Sequence, residues 1–109
     1  MTWSIETLNE SVNAELTALP VDMRARFIWI SELITDHGLE KVKQPYVKHI
    51  DSDLWEIRLK GKDGIARALY VTARPKRVVV VRVFVKKTQK TPRSEIKLAL
   101  KRAGEVNDE

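Results

Sequence analysis

The stretch Val78-Val79-Val80-Val81-Arg82-Val83-Phe84-Val85-Lys86-Lys87-Thr88-Gln89-Lys90-Thr91-Pro92-Arg93-Ser94-Glu95-Ile96-Lys97 decides how the chain is read. Its β-branched, apolar opening predicts a strand buried in a sheet. Its cationic continuation predicts a turn that ends where Pro92, behind Thr91, takes a first helical position. Such a junction sets ammonium groups and free backbone donors at the edge of a rigid sheet, where a polyanion can be held in a fixed position.

Two more strands precede this one, at about 54–60 and 65–73, with the Val78 run itself spanning 77–86. They are joined by turn sequences at Gly61-Lys62-Asp63-Gly64 and Arg74-Pro75-Lys76. Links this short imply an antiparallel meander. Further upstream, Trp3, Ile5 and Thr7 alternate with Ser4 and Glu6, the period of a short strand. Val12, Leu16 and Leu19, then Met23, Phe27, Ile30 and Ile34, recur at helical spacing on either side of Pro20, with Gly38 as terminator. They predict a helical hairpin or one broken helix over 11–37. Residues 39–53, with Pro45 and mixed charge, read as an irregular connection. After Pro92, Ile96, Ala99, Leu100 and Ala103 define one face of a last helix that Gly104 ends. The expectation is an α+β fold, one domain over residues 1–109, with a curved antiparallel sheet packed on one face against an N-terminal helical hairpin and a C-terminal helix.

The chain has no cysteine, and its two histidines, His37 and His49, are unlike in setting. Disulfides and cysteine-based metal sites are thereby excluded, a zinc site is not expected, and a reducing compartment suits the composition. No basic segment followed by an apolar core opens the chain, and no apolar run approaches membrane-spanning length, so a cytoplasmic protein without membrane attachment is expected.

The net charge of +5 hides an asymmetry: residues 1–55 carry five Lys/Arg against nine Asp/Glu, and residues 56–109 fifteen against six. A basic half joined to an acidic half points to a surface that meets an anionic partner, nucleic acid above all, although a solvated basic face would have the same composition. Strand parity says which cations can act together. Trp55, Ile57 and Leu59 share one face, so Glu56, Arg58 and Lys60 share the other. Arg67 falls among Ile65, Leu69 and Val71, where a guanidinium is costly unless it reaches water or an anion. Arg82, Phe84 and Lys86 share parity. Arg58, Arg67, Arg82 and the Lys86-Lys87 end are therefore expected on one concave phosphate-binding surface, with only Asp63 and Glu95 as acids across residues 58–102. The alternative is a set of solvated edge cations that discourage strand pairing.

Other chemistries lack their residues. No serine has the setting of a nucleophile, and no histidine lies in the basic half to serve as its base. Gly61-Lys62-Asp63-Gly64 is too short for a phosphate-binding glycine loop. The aromatics, among them Trp29 and Trp55, form no RNA-stacking signature and are expected mostly in the core.

Leu54-Trp55-Glu56-Ile57-Arg58, Arg67-Ala68-Leu69-Tyr70, and Phe84-Val85-Lys86-Lys87-Thr88-Gln89-Lys90-Thr91-Pro92 with Glu95-Ile96 and Ala99 behind it occur in this order. The pattern resembles the phage-derived, HigB-type branch of the RelE/ParE toxin superfamily over almost the whole chain. The resemblance implies a RelE-like fold and the toxin of a type II toxin–antitoxin pair, an endoribonuclease that cuts messenger RNA in the ribosomal A site. The nucleophile in such enzymes is the RNA's own 2′-hydroxyl, so neither metal nor cofactor is implied. Partners would be the ribosome, its mRNA and a cognate antitoxin, commonly a helix-turn-helix protein. Carried over by position, Arg58 and Arg67 would bind the scissile phosphate, and Lys86, Lys87 and Lys90 would complete the catalytic set. Lys86 is the first candidate for the general base and Lys90 the second, because neighbouring cations lower a lysine's pKa. Gln89 would orient a base or a phosphate oxygen. Many relatives carry histidine at the position of Arg82, which would here add phosphate stabilisation instead. A ParE-like gyrase inhibitor and a non-catalytic basic nucleic-acid-binding module are the competing readings.

Overall fold

Val78 to Val81 lie fully or almost fully buried in the middle of a ten-residue strand, and the rest of the molecule is organised on it. The structure is a computed structural model that describes residues 2–43, 45–86 and 90–107. In chain order the elements are β1 (Ser4–Thr7), α1 (Glu10–Thr17), α2 (Val21–His37), a 3-10 turn (Leu39–Lys41), β2 (Val47–Asp51), β3 (Leu54–Gly61), β4 (Gly64–Ala73), β5 (Arg77–Lys86) and α3 (Arg93–Ala103). One five-stranded sheet runs in the order β1-β5-β4-β3-β2.

The α+β fold agrees with the sequence pattern, and three details differ from it. The connection over 39–53 contains β2, an edge strand antiparallel to β3. Val47 is buried opposite Ile57 while Lys48 and His49 face solvent, so only one apolar residue marks the alternation. β1 pairs with β5 in parallel, Ser4 opposite Arg77 and Thr7 opposite Val80, which makes the sheet mixed. The helices also cover both faces instead of one. Val12, Leu19, Met23, Phe27, Ile30 and Ile34 of the α1–α2 hairpin pack on Ile57, Leu59, Ala68, Tyr70, Val78 and Val80. Ile96 and Ala99 of α3 pack on Leu54, Leu69, Val71, Val79 and Val81 on the other side. Alternate valines of β5 thus serve opposite cores, which is why that run carries no polar alternation; each such fully buried side chain stabilises by roughly 1.5–3 kcal/mol.

Helix ends follow local chemistry. The Asn9 side chain accepts from the Val12 N–H at 3.1 Å and caps α1. Gly38, at φ +90°, ends α2 in a backbone conformation that side chains disfavour. α3 begins behind Pro92 without a side-chain cap, and Thr91 is engaged elsewhere.

A β-bulge fixes which side chains face which way. Leu69 pairs with Arg82, but Tyr70 pairs with Val80, leaving Val81 as the extra residue of β5. Val81 and Arg82 consequently lie toward the same side, and Phe84 and Lys86 follow Arg82. Without the extra residue these three would point into the α1–α2 core.

Candidate functional site

β3, β4 and β5 present their polar residues in cross-strand rows on the face that α3 covers at one end. Glu56 stands opposite Leu69 and then Arg82, Arg58 opposite Arg67 and then Phe84, and Lys60 opposite Ile65 and then Lys86. Adjacent strands lie about 4.8 Å apart, so these side chains share one surface a few residues across. Parity groups Arg82 with Lys86, and the register with its bulge at Val81 brings both to the face of Arg58 and Arg67. Lys87 and Gln89 lie outside the described residues, and Lys90 is exposed at the far end of that segment.

The surface has an acid at its centre. Glu56 and Arg67 are each 2 % exposed and Lys86 6 %. Arg67 Nη1 lies 3.3 Å from Glu56 Oε2. The Thr91 hydroxyl donates to Glu56 Oε1 at 2.8 Å and accepts from Lys86 Nζ at 3.3 Å. A carboxylate, a hydroxyl, an ammonium and a guanidinium thus form one buried chain. Glu56 corrects the expectation of a surface short of carboxylates: it lies just upstream of residues 58–102, where Asp63 and Glu95 are the only acids, and pairs with Arg67. Thr91 is likewise a site residue and not a helix cap.

The electrostatics follow from burial. Desolvation lowers the Arg67 pKa most, Glu56 offsets this, and Arg58 adds to the lowering. Arg67 Nε and Nη1 are buried with no hydrogen-bond partner among the described residues, so the ion pair of Nη1 with Glu56 is what compensates the guanidinium there. Lys86 is held below its ordinary pKa, first by burial and then by Arg67, with Lys48 and Arg58 adding to the effect against the pull of Glu56. A lysine so placed is easier to deprotonate than one in water, as proton abstraction requires. Arg58, opposite Arg67 on β4, is half-buried and so more accessible to solvent than Arg67.

Arg82 departs from its expected role. Its Nε and Nη2 donate to Glu95 at 2.6 and 3.2 Å, and its Nη1 lies 2.8 Å from Glu15 Oε2. The hydrogen bonds to Glu95 come first in raising its pKa. The same cluster seals the bulge: Glu15 accepts the Val83 N–H at 3.1 Å, and Arg102 donates to the Val81 carbonyl at 2.9 Å and to Glu15 at 3.1 Å. Beyond Val80 β1 no longer pairs with β5, so α1 and α3 supply the groups that satisfy this edge. Arg82 is a structural tie between both helices and the sheet, and its guanidinium is committed to two carboxylates.

Trp29 and Trp55 are 40 % and 39 % exposed, contrary to their expected core placement. Trp55 borders an apolar cavity of about 560 Å³ on the α2 side of the sheet, with Trp3, Leu39, Val42, Val47 and Tyr70. Burial pushes the Tyr70 phenol up, so it stays neutral there. Among the described residues, no group of three or more His, Cys, Asp or Glu side chains is placed to hold a metal ion, and no helix is long and apolar enough to cross a membrane.

Residues 14–104 match the family model described as phage derived protein Gp49-like (DUF891). The chain belongs to that family. Two solved structures similar to this Gp49-like protein contain RelE toxins. The archaeal RelE–RelB complex from Pyrococcus horikoshii OT3 contains a chain 18% identical, with TM-score 0.55, covering 78% of this chain and 96% of that one. A double mutant of E. coli toxin RelE in the free state is 17% identical, with TM-score 0.62, covering 94% of this chain and 98% of its own. At such identities the likeness concerns the fold, and the Gp49-like chain has the RelE toxin fold. No curated protein matches the sequence significantly.

Proposed function

We propose that this Gp49-like protein is the toxin of a type II toxin–antitoxin pair and acts as a ribosome-dependent mRNA endoribonuclease. The observation that carries the reading is Lys86. It is a buried lysine, lowered in pKa, joined through Thr91 to Glu56, and set beside Arg67 on the face that also presents Arg58. The family membership and the RelE fold support it.

In the proposed reaction an RNA 2′-oxygen attacks the adjacent phosphorus. The 2′-hydroxyl proton passes to a base, the P–O5′ bond breaks, and the leaving 5′-oxygen takes a proton, giving a 2′,3′-cyclic phosphate and a 5′-hydroxyl. The protein need supply no nucleophile and no metal. Lys86 in its neutral form takes the first proton. Arg58 donates in pairs to the non-bridging oxygens as negative charge accumulates, with Arg67 adding charge from beneath. Glu56 and Thr91 position Lys86 and keep Arg67 in place. Lys90, exposed at the rim, is assigned the approach of the RNA backbone, and Lys87 and Gln89 retain their proposed places in the catalytic and phosphate-binding sets.

A cognate antitoxin, in this reading a helix-turn-helix protein, restrains the toxin. The deciding experiment adds purified protein to reconstituted translation and, separately, to gyrase supercoiling of plasmid DNA. Arrested synthesis with cut mRNA and unchanged supercoiling is expected. Lost supercoiling with intact mRNA would transfer the fold to a ParE-like role.

A further inference from the structure

The edge of β3 is open beyond Tyr46. The Tyr46 carbonyl accepts the Arg58 N–H at 2.8 Å, and among the described residues β2 pairs no further toward the hairpin and Leu59 to Gly61 have a paired strand only on the β4 side. At this edge lies a pocket of about 310 Å³ lined by Arg26, Pro45, Tyr46, Arg58, Lys60 and Ile65. Two lining residues, Arg58 and Lys60, belong to the cationic face, so the pocket opens directly from it. Arg26 and Tyr46 come from α2 and the segment before β2.

The pocket is built. Trp29 meets Tyr46 edge-on, with ring centroids 5.3 Å apart and planes at 78°. The Arg26 guanidinium lies over the Trp29 ring, 5.3 Å from its centroid. The Trp29 ring therefore steadies both the tyrosine and the arginine from behind. Among the described residues the lining carries three cationic side chains and no carboxylate, and its volume is at the lower end of the ~300–1,000 Å³ range of small-ligand sites. An aromatic ring for a base and cations for the flanking phosphates are the elements of a single-stranded nucleotide site.

The geometry points to a base-binding subsite at the β3 edge, in which an unpaired RNA base flanking the scissile phosphate packs on Tyr46 while Arg26 and Lys60 hold its phosphates. This subsite rests on the proposed RNA substrate and extends it by placing the strand: from Lys86 across Arg67 and Arg58 to the edge of β3. It also assigns the pocket to nucleic acid and not to a protein partner, because it lacks carboxylates and continues the phosphate-binding face.

The test uses a short RNA with a 2′-deoxy residue at the cleavage position, labelled for fluorescence anisotropy at low salt, with each base replaced in turn by an abasic residue. With wild type, one abasic position is expected to weaken binding about 10- to 100-fold. With Tyr46→Ala that penalty should vanish, Tyr46→Phe should restore it, and Arg26→Gln should weaken all RNAs alike with a smaller salt slope. The intact fold of each variant is checked by its thermal unfolding. A positional penalty unchanged in Tyr46→Ala overturns the proposal, as does absence of any such penalty or of binding by wild type. Weakened antitoxin binding by Tyr46→Ala and Trp29→Ala with RNA binding unaltered would also overturn it, giving the patch to the antitoxin. Failure of the cleavage reading is separately visible: ribosomal mRNA would stay intact while the coupling between Tyr46 and the abasic position persisted.

Discussion

Arg67 is a charged residue placed among Ile65, Leu69 and Val71, and what makes this tolerable is Glu56, one strand away and equally buried. Removing one member of a buried pair leaves the other uncompensated, so Glu56→Ala is expected to cost about 3–5 kcal/mol in urea unfolding. A loss under about 1 kcal/mol would mean that water already reaches Arg67. Lys86 brings a pH dependence whose sign follows from its lowered pKa. Between the folded value and the ordinary 10.5, the unfolded chain binds more protons than the folded one, so this residue makes stability rise with pH across that window. Tyr70 acts in the opposite sense above its ordinary 10.0, because the unfolded chain ionises there first. Comparing wild type with Lys86→Met isolates the lysine. The stability difference between them should shift in favour of wild type as pH rises toward the ordinary 10.5, and parallel curves would contradict it. Much of this residue-level chemistry was legible in sequence. Parity puts Glu56 with Arg58 and marks Arg67 as expensive, but the pairing of Arg67 with Glu56 depends on the β3–β4 register, which residue pattern alone does not set. Thr91 was hidden because threonine before proline reads equally well as a helix cap.

Elements were legible where their period was long and uninterrupted. The spacing from Met23 to Ile34 fixes the buried stripe of α2, and the turn glycines bound β3 and β4 to within a residue. β2 was not legible because an edge strand with a single buried valine has no alternation to read. The bulge at Val81 was equally hidden in a run of four valines, since both parities look alike there. Its seal makes a prediction at this scale: Arg82→Gln should cost about 1.5–3 kcal/mol per charge-assisted bond lost and loosen α1 and α3 together in hydrogen exchange. Cleavage per folded molecule should change far less than with Arg58→Ala. A loss matching that of Arg58→Ala, with stability unchanged, would return Arg82 to the phosphate. The β3–β4 hairpin is held against α2 at Gly61, where an added Cβ would stand 2.7 Å from Asp22 Oδ2 and 2.9 Å from Met23 Cγ. Asp22 also accepts the Lys62 N–H at 2.8 Å. Gly61→Ala should therefore destabilise by about 1–3 kcal/mol, read as a lower urea midpoint, and an unchanged midpoint would show that the hairpin moves freely.

On the scale of the whole molecule, the helices of the acidic N-terminal half pack on one face of the sheet, and Arg58, Arg67, Arg82 and Lys86 of the basic half lie on the other, Arg67 paired with Glu56 and Arg82 with Glu15 and Glu95. These cations meet on one face, and single-stranded RNA is the ligand proposed for it. Salt dependence reads this directly: Arg58→Ala should reduce the slope of log affinity against log salt by about 0.7, one phosphate contact on a single strand. In the proposed reaction the buried lysine on this face removes the proton that starts cleavage. Single-turnover cutting of A-site mRNA on programmed ribosomes, followed between about pH 6 and 9, tests it most directly. For wild type the rate should climb with pH, and Lys86→Ala should lose about 100-fold or more together with that climb. A Lys86→Ala protein that cuts at nearly the wild-type rate, with the same pH profile, would contradict the account.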